Sequence, residues 1–170
     1  ILFSFLLKSY NFDVTIANKR PAYDNESKIF NMAGIKFYNS MNGYNFDNNT
    51  FDLIIEASGS DANVISETMP LMKNNGIFGL FGFIKSTDLT LGSDILQSIV
   101  YKSIAIIGLI NGQKPHFELA MNHLVQWKHL FPGIGNLLIT NTIKIVDEDK
   151  IMDALAKKSK NEIKTKIPVS

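Results

Sequence analysis

Four runs dominated by apolar residues punctuate the chain: FDVTIA (12 to 17), FDLIIEA (51 to 57), GIFGLFGF (76 to 83) and SIAIIGLI (103 to 110). Each is four to eight residues long, rich in branched or aromatic side chains and bounded by Asn, Gly or Ser, the pattern of a strand buried on both faces. IKFY (35 to 38) suits a minor strand. Between these runs the apolar positions recur at helical spacing. Pro21 opens a helical stretch through Ile29, Phe30 and Met32 that ends near Gly34, and Asp61 caps a helix over about 62 to 73 that Pro70 kinks or ends early. Asn74, Asn75 and Gly76 stop it. A third helix runs from a cap near Ser93 to about Tyr101. A fourth begins at Pro115 and carries Phe117, Ala120, Leu124, Trp127 and Leu130. The tail alternates NLLITNTIKI, a short helix from Asp147 to about Lys157, and a last strand near IKTKIPV. NSMNGYNFDNNT is a polar loop turning at Asn42-Gly43.

The opening ILFSFLLKSY is apolar nearly all round, as a helix buried between two layers is. It lacks a basic flank, a cleavage site and an initiating Met, and its apolar run is too short to span a bilayer. A chain that starts inside such a helix leads us to expect that further residues precede Ile1.

Helices alternating with buried strands predict an α/β fold: a doubly wound parallel sheet of Rossmann type, without its first strand and glycine-rich loop. In such sheets ligands sit beyond the carboxyl ends of the strands, where loops and helix N-termini with free N–H groups converge. Those ends are Asn18-Lys19-Arg20, Ala57-Ser58-Gly59, Phe81-Gly82-Phe83 and Leu109-Ile110-Asn111-Gly112. Each offers a glycine, a basic residue or a small polar one, the shape of a dinucleotide site. The glycines of GIFGLFGF predict close approach of another backbone or of a ligand.

Composition narrows the partners. The 170 residues carry 17 basic and 16 acidic side chains, a formal charge of +1, so no global field draws the protein to nucleic acid or an anionic membrane, and neither is expected as a partner. Any phosphate binding must be local. With no cysteine, thiolate metal sites and disulfides are excluded, and a reducing cytoplasmic location is the expectation. His116 and His123 are seven apart and could share a helical face, but no carboxylate completes an i, i+4 set, so no metal ligand is assigned. Trp127 and Phe131 read as core or interface. No Ser-His-Asp or paired-carboxylate arrangement is present, and no catalytic residue is assigned.

The basic pair decides the cofactor. In a dinucleotide fold the second strand ends in a carboxylate when the adenosine ribose bears a free 2′-hydroxyl. Here Asn18, Lys19 and Arg20 stand in its place, and a fork of guanidinium donors beside an ammonium suits a 2′-phosphate, so NADP is predicted over NAD. The alternative is an ordinary solvated basic turn.

VTIANKR, FDLIIEASG, GIFGLFGF and above all IIGLINGQKPHF followed by HLVQWK resemble the carboxyl-terminal half of the archaeal-type glucose 1-dehydrogenases, members of the zinc-dependent medium-chain dehydrogenase superfamily. The resemblance extends through the EIKTKI tail. It implies that residues 1 to 142 form the NAD(P)-binding domain and that residues 143 to 170 return to the catalytic domain. It implies that Asn18, Lys19 and Arg20 grip the 2′-phosphate and that Phe81, Gly82, Phe83, Leu109, Ile110 and Asn111 lie on the nicotinamide side. It further implies that Asn111 also touches the sugar and that Lys158 reaches the cofactor. The implied enzyme oxidises the C1 hydroxyl of an aldose such as glucose by hydride transfer to NADP, with NAD possible, and works as a homodimer or homotetramer. The family's zinc ligands, proton relay and phosphate loop belong to its amino-terminal part, so no zinc ligand is carried over and no turnover is expected of this chain alone. Tyr101 departs from the sugar-facing histidine that the family can carry in this stretch, which leaves the sugar open.

Two other readings remain: a non-catalytic remnant or subunit-interaction module, in which SIAIIGLI is a sheet edge that joins subunits, and a medium-chain reductase acting on an alcohol or quinone.

Overall fold

The computed structural model describes residues 1–59, 63–83, 90–157 and 162–168. The chain forms two compact units, Ile1–Met41 with Lys114–Ser170 and, between them in sequence, Asn42–Gln113. The expected domain boundary at 142/143 falls inside the first unit.

The first unit begins with α1 (Leu2–Ser9), β1 (Thr15–Asn18), α2 (Asp24–Ala33) and β2 (Lys36–Asn39), and β1 and β2 pair in parallel from Thr15 opposite Lys36 to Asn18 opposite Asn39. Helix α2 stops at Gly34, whose left-handed φ of 60° a residue without Cβ adopts freely. The second unit holds β3 (Phe51–Glu56), α3 (Asn63–Thr68), a 3₁₀ turn (Met69–Leu71), β4 (Met72–Leu80), α4 (Ser93–Lys102) and β5 (Ala105–Gly108). These strands form one parallel sheet in the order β3-β4-β5. The chain then returns to the first unit with α5 (Lys114–Leu130), α6 (Ile134–Leu138), β6 (Ile139–Thr142), α7 (Glu148–Ala156) and β7 (Lys164–Lys166), and β6 and β7 pair in parallel. None of the described helices is long and apolar enough to cross a membrane.

Each unit has its own core. In the first, Phe5 is fully buried against Trp127 and Phe131, with ring centroids 5.8 and 5.2 Å away, and Phe30 stacks on Phe37 at 5.6 Å. Burying such a side chain stabilises by about 1.5–3 kcal/mol. Trp127 is therefore a core residue and Phe131, half-buried, packs against the core, as expected. Helix α1 is not buried all round: Ser4 and Phe5 face the core, and Leu2 is exposed. In the second unit Met69, Met72 and Phe78 are fully buried and pack with Ile65, Ile95 and Ile104.

The α/β class and the parallel pairing match expectation, with five local differences. The long apolar strands do not hydrogen-bond as one sheet, because β1 pairs with β2 while β3, β4 and β5 pair among themselves. An apolar run reports burial, not the identity of the neighbouring strand. Pro70 ends α3 early, as expected, but β4 starts at Met72 rather than Gly76. Asn74-Asn75-Gly76, expected to stop a helix, instead forms an irregularity inside β4: Phe51 faces Met72 and Leu53 faces Ile77, with Asn75 in the left-handed region at φ 60°. Lys102 Nζ secures the preceding 3₁₀ turn by donating to the carbonyls of Pro70 and Met72, both at 3.0 Å. The first three residues of NLLITNTIKI are helical, because Ile134 and Leu138 of α6 are drawn into the Phe5 core. Finally, β5 is exposed along its length, with Ile106 and Ile107 each 43% accessible, so this strand is not covered on both faces.

Candidate functional site

In the second unit the three strands end in register, Glu56 opposite Leu80 and Leu80 opposite Gly108. Parallel pairing thus delivers three of the expected strand ends to one edge. Glu56, only 6% accessible, organises it. Its backbone carbonyl accepts the Phe81 N–H at 2.9 Å and the Gly82 N–H at 3.0 Å. Its side-chain Oε1 accepts the Ser58 N–H at 2.8 Å, the Ser58 hydroxyl at 2.5 Å and the Gly59 N–H at 3.0 Å. Oε2 is buried with no hydrogen-bond partner among the described residues. One carboxylate thus folds the 57–59 turn back on its own strand and, through its backbone, anchors the start of the 81–83 segment.

The glycines do what close approach requires. Gly59 sits at φ 58°, and a Cβ there would collide with the Phe83 backbone. A Cβ on Gly82 would lie 2.7 Å from both Gly59 Cα and Glu56 Oε2, and closer still to the Gly59 nitrogen. The two segments touch backbone to backbone, and Phe83 is left largely exposed. Gly79 makes room for the Leu109 side chain, and the Leu109 N–H donates to the Leu80 carbonyl at 2.9 Å. Ile110 and Asn111 continue exposed beyond it, Asn111 at φ 98°. A non-glycine residue held there is a local strain that clusters at functional positions, and asparagine is among the side chains that tolerate it.

The basic residues belong to the first unit. Asn18 closes β1, and its Oδ1 accepts the Arg20 N–H at 3.3 Å, which shapes the turn. Lys19 is exposed and makes no ion pair among the described residues. Arg20 differs. Its Nη1 and Nη2 each donate to Glu26 at 2.8 Å, Nη1 also donates to the Pro21 carbonyl at 2.8 Å, and the Tyr23 ring lies 3.9 Å from the guanidinium carbon. The hydrogen bond to Glu26 raises the guanidinium pKa above its already high ordinary value, against the opposing effect of partial burial. Glu26 in turn accepts the Tyr23 N–H at 2.9 Å at the start of α2. Arg20 is therefore held, not loosely solvated.

Sequence reasoning missed Glu56 and Glu26. Glu26 had a signal, since an acid three residues into a helix commonly accepts the cap N–H, but the cap here is Tyr23 and not Ser or Thr. Glu56 reads as an ordinary end of strand. Lys158 lies outside the described residues. Tyr101 is 82% exposed on α4. His123 stands edge-on to Tyr10 with ring centroids 5.8 Å apart, and no group of three or more metal-ligating side chains occurs among the described residues.

Relatives include glucose 1-dehydrogenase 1 of Picrophilus torridus, 53% identical over 167 residues covering 98% of this chain and 47% of that protein. Glucose 1-dehydrogenase 2 of Saccharolobus solfataricus is 45% identical over 170 residues, covering 98% of this chain and 46% of that protein. The chain thus spans about half the length of the curated relatives it matches. Among solved structures, the glucose dehydrogenase of Haloferax mediterranei in complex with NADP, zinc and gluconolactone superposes with a TM-score of 0.80 at 19% identity, over 99% of this chain and 47% of that one, a likeness of fold. The family model for the glucose dehydrogenase C-terminus matches residues 1–169, and the chain belongs to that family.

Proposed function

We propose that this chain is the NADP-binding part of an aldose 1-dehydrogenase, which oxidises the C1 hydroxyl of a sugar such as glucose by hydride transfer to NADP, with NAD accepted more weakly. The support is the naming of relatives up to 53% identical and the Haloferax protein's complex with NADP and gluconolactone. The observation that carries it is Arg20, fixed at the carboxyl end of β1 beside the exposed Lys19, two cations suited to a 2′-phosphate. When bound, the nucleotide supplies the hydride acceptor. The residues of this chain supply position: Asn18, Lys19 and Arg20 at the adenosine end, and Phe81, Gly82, Phe83, Leu109, Ile110 and Asn111 at the nicotinamide end, with Asn111 also toward the sugar. No cluster among the described residues fits zinc. A cytoplasmic setting, a division at 142/143 into nucleotide-binding and catalytic parts, and a role for Lys158 belong to the same proposal.

Calorimetric titration of the chain with NADP and NAD tests the clamp. Arg20→Ala and Lys19→Ala are each expected to weaken NADP about tenfold, the worth of one partly exposed charge-assisted contact of about 1.4 kcal/mol, and to leave NAD unchanged. Equal affinity of the parent chain for both nucleotides refutes it.

The β5 edge favours a second role alongside this one. Its outer side pairs with no described strand, and Ile106, Ile107 and Ile110 are exposed, which supports assembly of identical subunits through that edge.

A further inference from the structure

The guanidinium of Arg20 has five N–H donors in a rigid plane. Two are taken by Glu26 across the Nη1/Nη2 end and a third by the Pro21 carbonyl, again from Nη1. The Tyr23 ring covers one face. What remains is Nε–H with the second hydrogen of Nη2, the side-on pair, and no described residue accepts from it. That pair is a two-donor fork of the spacing that an oxyanion with two accessible oxygens accepts. The arginine side chain is 37% accessible and Glu26 13%, so the carboxylate lies behind the guanidinium while the guanidinium itself still reaches solvent.

We propose that Glu26 is a positioning residue: by clamping the far end of Arg20 it holds the side-on fork open for the 2′-phosphate of the nucleotide. The idea rests on the phosphate-clamp reading above and adds the residue through which Arg20 acts. An arginine with no such clamp spreads over many rotamers and must be ordered each time ligand binds, which weakens binding. Pairing with Glu26 settles that ordering during folding, and rigid preorganisation of this kind favours a planar fork over a flexible ammonium. The opposing effect is that a carboxylate behind the guanidinium repels the incoming phosphate. It acts from the far side of a solvent-reaching cation, where water and salt screen it, so ordering is the larger effect.

Adenosine 2′,5′-bisphosphate and 5′-AMP isolate the contribution of the 2′-phosphate, so the readout is the ratio of their dissociation constants for the chain, with far-UV circular dichroism confirming that each variant folds. Glu26→Ala is expected to lower the preference for the bisphosphate by about three- to tenfold, the upper figure matching the loss expected when Arg20 itself is removed, with 5′-AMP affinity unchanged. Glu26→Gln keeps an acceptor for the Tyr23 N–H and for one of the two guanidinium donors, so it guards against a lost helix start and is expected to fall between parent and Ala. Arg20→Lys, which keeps the charge and loses the fork, is expected to match Glu26→Ala. A Glu26→Ala chain that folds and keeps or strengthens the preference overturns the positioning role and leaves the clamp reading intact. A parent chain without preference for the bisphosphate overturns the clamp reading and the positioning role with it.

Discussion

Replacing Gly82 by alanine probes how the strand-end edge of the second unit is built. The new methyl would sit 2.7 Å from Gly59 Cα and from Glu56 Oε2, and nearer still to the Gly59 nitrogen, where real Cβ atoms essentially never come within 3.0 Å. Two of those three atoms are backbone and cannot swing aside. The third belongs to a buried carboxylate whose other oxygen already accepts from Ser58 and Gly59, so moving it breaks those bonds. Relief therefore requires the 57–59 and 81–83 segments to separate, an overpacking cost of about 1–3 kcal/mol that should fall at the upper end because backbone must move. Gly108 is the internal control. It lies on the same sheet, a Cβ there meets nothing within 4 Å, and its φ is not positive. Gly108→Ala should stabilise by about 0.4–1 kcal/mol through the unfolded chain. Urea unfolding followed by far-UV circular dichroism, with the slope checked for constancy, measures both variants. The two substitutions should differ by at least about 1.4 kcal/mol, with opposite signs relative to the parent. If Gly82→Ala is as stable as the parent, or if Gly108→Ala costs as much, the reciprocal packing of Gly59 and Gly82 does not hold that edge together.

Two further outcomes follow from surface features. Asp13 lies 2.6 Å from Lys36 Nζ, whose hydrogen bond and charge hold the carboxyl below the ordinary aspartate value of 3.8. A lowered carboxylate pKa contributes stability that is fully present above the unfolded value and is lost as pH falls through the folded one, so the link between the start of β1 and β2 weakens only below pH 3.8. An NMR titration of the Asp13 carboxyl should give a midpoint under 3.8 that climbs toward it in Lys36→Met or in high salt, and a midpoint at or above 3.8 in the parent contradicts the pairing. For the exposed β5 edge, Ile107→Lys should abolish concentration-dependent association in sedimentation equilibrium without changing the circular dichroism spectrum, and a parent chain that stays monomeric at its highest soluble concentration excludes subunit joining there.

What the sequence conveyed and what it withheld divide along the range of the interactions concerned. Strands and most helices were legible because burial imprints a period on neighbouring residues, and Gly34 and Pro70 punctuate elements through their own backbone chemistry. The glycines of the strand ends were legible as a need for close approach, though not as the particular match of Gly59 with Gly82, which are 23 positions apart and meet only once β3 and β4 pair. Strand neighbours, the irregularity at Asn75 and the exposure of β5 depend on partners that no local pattern specifies. Arg20 shows the limit most clearly. Asn-Lys-Arg at a strand end reads either as solvated loop or as a phosphate clamp, because from sequence each cation has only two states, free or ligand-bound. The folded chain adds a third, in which a carboxylate six residues on takes one end of the guanidinium and leaves the other end presented. Charge counting treats that pair as neutral and therefore inert. Donor counting does not, since three of five N–H groups are used and the two left over form a coherent fork. An ion pair beside a strand end is thus compatible with anion binding whenever the partner takes one face of the guanidinium, and Lys19, which has no fork, cannot substitute for that geometry.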